Sequence, residues 1–208
     1  MGLKRQADAF VLHQVATRDY TRDLPGLIAQ MSDVEVAVRR WAVRDLGSHP
    51  EAAAALGARL VVEADSNVRS ALFSSLARLG GGDVVTAVLP LLRSEDPELR
   101  NGAIEVLSGL PDAVAPHIDA LLCDGDSDVR IFTVNLLGDL HHIRVVAWLE
   151  RVLMHDAAVN VVGAALEVLA EVGTDGSLPA LRAVAQRFPD DAFISFAVDL
   201  AIERIGTP

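Results

Sequence analysis

Asp126-Ser127-Asp128-Val129-Arg130-Ile131-Phe132-Thr133-Val134-Asn135-Leu136-Leu137-Gly138 is the stretch that decides the architecture. Val129, Thr133 and Leu137 fall four residues apart, which on an α-helix places them on one stripe. Asp126, three residues before the stripe, is a residue type that caps helix starts, and Gly138 is a type that ends them. Working outward, the Val129-Arg130 pair recurs as Val38-Arg39, Val68-Arg69 and Leu99-Arg100, at intervals of 30, 31 and 30 residues. Each copy has its acid (Glu35, Asp65, Asp96), its fourth residue (Ala42, Leu72, Ala103) and its eighth (Leu46, Leu76, Leu107). Two drifted copies follow. Val161, Ala165 and Leu169 carry Val162 in the arginine place, and Ile194, Val198 and Ile202 carry Ser195 there. Drift toward the end of a repeat array is expected, since a terminal unit has solvent on one side.

Ahead of each anchor helix lies a second apolar segment, Leu24–Met31, Glu51–Val62, Val84–Leu92, Ala113–Leu122, Ile143–Met154 and Leu178–Phe188. Turn-forming groups such as Ser94-Glu95-Asp96-Pro97 separate the two segments, and no stretch alternates with the period of two that a half-buried strand requires. The unit is therefore helix, turn, helix, loop, and the fold class is all-α. One such hairpin cannot bury enough surface to fold alone, whereas stacked hairpins share a continuous core. The expected organisation is a single domain over 1–208, with repeats near 22–47, 50–79, 83–110, 112–140, 142–172 and 176–205. An amphipathic capping helix over 3–16, with Leu3, Ala7, Phe10 and Val11 on one face, precedes them.

The 208 residues are 51% apolar and 23% charged, and 18 Lys and Arg against 29 Asp and Glu give a net charge of −11. That composition excludes a disordered chain, and a lone Cys123 excludes a disulfide scaffold. The acidic balance argues against nucleic acid and anionic membranes as partners of the whole surface. No run approaches the roughly 18 apolar residues of a membrane span, and Asp8 and His13 interrupt the one segment with a signal-like basic start. The expected location is the cytoplasm.

The repeated residues resemble the HEAT repeat, in the short variety named for phycobilisome lyases, whose pattern reads Asp-x-x-Val-Arg-x-x-Ala-x-x-x-Leu-Gly. Asp126 through Gly138 matches it with Thr133 in place of Ala, Val38 through Gly47 matches its second half, and the likeness extends over residues 22–205. Pro25, Pro90 and Pro179 resemble the proline that interrupts the first helix in that family. The resemblance implies a right-handed α-solenoid of about six two-helix units, with the second helices lining the concave face. Two additional residues around Ala157-Ala158 lead to an expectation of irregular stacking in the fifth unit.

On that concave face, the positions two and six residues after each anchor read Arg40 and Arg44, Ser70 and Ser74, Asn101 and Glu105, Ile131 and Asn135; these without Ile131, and with Trp41, are the candidate partner-binding set. Trp41 adjoins the first pair, and Trp and Arg are enriched where binding energy concentrates. The acid–arginine pairs Asp65 and Arg69, Asp96 and Arg100, Asp126 and Arg130 read as a structural ladder, each acid capping a helix and each arginine reaching its own acid or the next one along. His117, His141, His142 and His155 lack the spacing of metal ligands, so no metal and no cofactor is expected. Cys123 reads as a packed thiol, Gly80-Gly81-Gly82 as a turn, and Trp148 with Arg144 and Arg151 as part of the convex side.

No catalytic constellation is visible. The function expected is a non-enzymatic scaffold or adaptor that holds a protein or peptide in its groove. The family resemblance supplies two alternatives, a bilin lyase-like chromophore chaperone and an alkylpurine DNA glycosylase. The latter calls for a basic groove, which Glu105 and Glu167 oppose.

Overall fold

In a computed structural model that describes residues 21–206, every regular element is helical. The expected capping helix over 3–16 lies outside the described residues. The helices are α1 (Leu24–Gln30), α2 (Val36–Leu46), α3 (Ala53–Val62), α4 (Ser66–Leu79), α5 (Gly81–Val88), α6 (Pro97–Ser108), α7 (Pro111–Leu121), α8 (Ser127–Asp139), α9 (Val145–His155), α10 (Val159–Val172), α11 (Leu178–Arg187) and α12 (Ala192–Gly206). Each anchor helix is even-numbered. They stack in chain order, α2 on α4, α4 on α6, α6 on α8, α8 on α10 and α10 on α12, while α3 packs on α5, α5 on α7 and α9 on α11. The molecule is an α-solenoid.

The apolar stripe explains the stacking. Anchors Val68, Leu99, Val129, Val161 and Ile194 are buried, as are the fourth residues Ala42, Leu72, Ala103, Thr133, Ala165 and Val198. Leu46, Leu76, Leu107, Leu137 and Leu169 complete the stripe at 0% exposure, so one core runs the length of the stack. Val38 and Ile202, at its two ends, are half-buried. Thr133 fits the alanine place because its hydroxyl donates to the Val129 carbonyl at 2.7 Å, which satisfies a polar group at 0% exposure.

Several local expectations need correction. Pro90 does convert the end of α5 into a tight three-residue-per-turn segment over Leu89–Arg93, but Pro25 and Pro179 stand in the first turns of α1 and α11. There the missing N–H has no intrahelical acceptor to lose, so proline opens those helices instead of interrupting them. The glycine run makes the turn expected of it, and a tight one. Gly80 and Gly81 have φ of 64° and 82°, and α5 begins at Gly81 directly after α4 ends at Leu79. Cys123 is exposed just beyond the end of α7 instead of packed within it. Trp148 belongs to the core, at 1% exposure, with its indole N–H donating to Asp119 Oδ1 at 3.1 Å.

Candidate functional site

A ladder of acids and arginines fixes the even helices against one another. Asp65 Oδ1 accepts from the N–H groups of Asn67 (2.9 Å) and Val68 (3.1 Å), Asp96 Oδ1 from Glu98 (2.9 Å), and Asp126 Oδ1 from Asp128 (2.9 Å). These are helix N-caps. Only Arg69 follows the reach that the spacing suggested, to the next cap along, Asp96, and all four arginines share a backbone contact besides. Each donates to the carbonyl six residues upstream: Arg39 to Asp33 (2.9 Å), Arg69 to Glu63 (2.6 Å), Arg100 to Ser94 (2.7 Å) and Arg130 to Asp124 (2.8 Å).

Their carboxylate partners lie in the following unit. Arg39 forms a two-pronged pair with Glu63 (2.9 and 2.9 Å) and Arg130 one with Asp156 (2.7 and 3.1 Å), while Arg69 Nη1 meets Asp96 (2.7 Å) and Glu98 (2.8 Å). Asp96 is thus the cap that also receives a ladder arginine, and its carboxyl is held low first by the Arg69 hydrogen bond and then by the Glu98 N–H. Asp65 and Asp126 serve as caps, their oxygens turned toward their own helix. The sequence reading missed the acid two residues earlier. Asp33, Glu63, Asp124 and Asp156 each accept from the N–H two residues on, at 2.8, 3.0, 3.0 and 2.9 Å, and Ser94 does so through its hydroxyl at 3.2 Å. Their recurrence two positions before each cap was the available signal. Arg100 meets no carboxylate among the described residues; Arg93 occupies Asp124, and the Arg100 guanidinium lies 4.8 Å from the centre of the Phe132 ring.

Glu63 is the most constrained of these groups, at 1% exposure between Arg39 and Arg59. Burial by itself would raise its carboxyl. Hydrogen bonds from Arg39, the Asp65 N–H and Arg59 outweigh that and bring it down to about 2. A second reinforcement comes from Arg78, which donates to the carbonyls of Gly47 (2.9 Å) and Arg44 (2.5 Å), closing the end of α2 from the neighbouring unit.

With the frame fixed, the groove positions fall on the outer faces of the even helices. Arg40, Arg44, Ser70, Ser74, Asn101, Glu105 and Asn135 are exposed, whereas Ile131 and Trp41 are half-buried. A cleft of about 310 Å³ between α2 and α4 is bordered by Arg40, Arg44, Ser70, Ser74 and Arg78. The next, of about 560 Å³ between α4 and α6, shares Ser70 and Ser74 and adds Glu98, Asn101 and Glu105. Carrying the same register to the last two units gives Gly163 with Glu167 and Phe196 with Leu200. Phe193, Phe196 and Leu200 are 52%, 66% and 37% exposed around a cleft of about 300 Å³ with Glu167 and Glu171 at its edge. The surface therefore passes from cationic through polar and acidic to apolar. Among the described residues no cluster of three or more His, Cys, Asp or Glu side chains could hold a metal ion, and no helix is long and apolar enough to cross a membrane.

A stack of short helical hairpins with a capped, arginine-laddered second helix defines a repeat protein, and comparison with known families gives the same answer. The family model for HEAT repeats matches residues 24–108 and 114–198, and the chain belongs to that family. No curated protein matches the sequence. Solved structures similar to it include an engineered protein at 20% identity and TM-score 0.44, covering 89% of this chain and 99% of its own. A designed armadillo repeat protein is 16% identical at TM-score 0.39, covering 88% of this chain and 100% of its own. A chain of the complex of CpcE and CpcF of phycocyanin lyase from Nostoc sp. is 17% identical at TM-score 0.38, covering 95% and 100%.

Proposed function

We propose that the chain is a binding scaffold that holds a polypeptide segment across the outer faces of α2, α4, α6, α8, α10 and α12. The observation that supports this most directly is the row of exposed side chains at the second and sixth positions after the anchors, interrupted only by half-buried Ile131 and buried Gly163. Its chemistry varies along the stack, while the ladder residues behind it repeat. Residues that only keep a stack together recur with its period; a row that departs from the period while staying exposed is free to follow a partner. Arg40, Arg44, Ser70, Ser74, Asn101, Glu105 and Asn135 are the residues assigned to contact, with Phe196 and Leu200 added at the far end.

A photo-crosslinking residue at Asn101, on the row, compared with one at exposed Ala120 on α7, tests the assignment in host lysate. A defined adduct from position 101 and none from position 120 is the expected result. Equal labelling at both positions, or none at 101, would overturn it.

A further inference from the structure

We propose that the α2–α4 end of this row is an oxyanion site, which takes an acidic side chain, carboxylate or phosphate ester, of the bound polypeptide. The proposal rests on the scaffold reading above and supplies the chemistry of one anchor point.

Arg40 and Arg44 stand one helical turn apart on α2 and so project from the same face. Both border the 310 Å³ cleft, where Arg78 of α4 joins them, and Asn67, Ser70 and Ser74 supply amide and hydroxyl donors. Among the described residues no carboxylate borders that cleft. Elsewhere in this acidic protein, arginine charge is largely matched: Arg39 and Arg59 by Glu63, Arg69 by Asp96 and Glu98, Arg93 by Asp124, Arg130 by Asp156, Arg144 and Arg151 by Asp119. The side chains of Arg40 and Arg44 have no hydrogen-bond or ion-pair partner among the described residues. Arg78 is held by two backbone carbonyls, which orient its guanidinium without neutralising it.

The nearest acid in sequence, Asp45, lines an adjacent cleft that Arg44 and Arg78 also border, and it pairs with Arg22 at 3.1 Å. Three like charges therefore border one small concavity that no carboxylate among the described residues lines, in a molecule whose net charge is −11. The guanidinium fork matches the paired oxygens of carboxylate and phosphate. On the other side of Ser70 and Ser74, Glu98 and Glu105 border the next cleft, so the sign of the surface changes within one repeat and fixes where an acidic side chain can sit.

The test is an amide NMR titration of the whole chain at constant ionic strength with inorganic phosphate, O-phosphoserine and N-acetylglutamate, with chloride as the reference anion. Saturable shifts at Asn67, Ser70 and Ser74 are expected. In the R40Q/R44Q double variant they weaken by about tenfold or more, with an unchanged thermal melt, since both side chains are exposed. Phosphate and phosphoserine saturating well below N-acetylglutamate assigns a phosphorylated side chain; parity assigns Asp or Glu. Shifts no stronger than those from chloride, or undiminished in the double variant, overturn the site. In that case a surviving adduct at position 101 leaves the scaffold reading in place, so the two failures are separable.

Discussion

Glu63 carries an unusual share of the load for a single side chain. It is almost fully enclosed, accepts from two arginines and from the Asp65 N–H, and joins α2, α3 and the turn into α4. Its carboxyl drops from 4.5 to about 2 on folding. A group whose pKa is lowered in the folded state adds stability that is complete above its unfolded value and disappears as pH falls toward the folded one. This contribution is therefore present above pH 4.5 and is lost between 4.5 and about 2, an effect of about 3 kcal/mol at most. The Glu63→Gln variant should be less stable at neutral pH by about 3 kcal/mol or more, because Arg39 and Arg59 lose their charge partner. It should also lose part of the acid sensitivity. Urea unfolding of both proteins between pH 7 and 2.5 measures this, and parallel pH curves would refute it.

Among the elements, the α4–α5 junction is the tightest. At Gly80, φ of 64° and ψ of −171° lie in a region that side chains with a Cβ avoid. A Gly80→Ala change is expected to cost about 1–3 kcal/mol. Gly82, within the first turn of α5, offers a control, since a Cβ there meets nothing within 4 Å. Gly82→Ala should be neutral or stabilising by up to about 1 kcal/mol. Thermal denaturation of the pair decides it; equal melting temperatures would mean that the backbone at Gly80 adapts freely.

Over the whole molecule, stability is a sum of units and of the interfaces between neighbours. Leu107 is fully buried in α6, and Leu107→Ala is expected to cost about 2–5 kcal/mol through lost transfer energy and an unfilled cavity. In a solenoid that loss should be graded. Hydrogen exchange should accelerate most in α6 and in α4 and α8, which pack on it, and least in α12. Uniform acceleration through α12 would show that the stack unfolds as one unit.

The repeat, the all-α class and the buried stripe were legible in the sequence, because a four-residue apolar period repeated every 30 residues admits one economical packing. Asp65, Asp96 and Asp126 were legible as caps for a similar reason: capping is a local bond between a side chain and its own helix. The ladder partners Glu63 and Asp156 were not, since each is chosen by a neighbouring unit 24 or 26 residues away. Nor was the burial of Trp148 or the exposure of Cys123, because both depend on where a helix ends and what packs against it. The row of Arg40, Arg44, Ser70, Ser74, Asn101, Glu105 and Asn135 could be named from spacing alone. Its division into a cationic cleft and an acidic one that share Ser70 and Ser74 was decided by tertiary structure, because a cleft belongs to two helices at once.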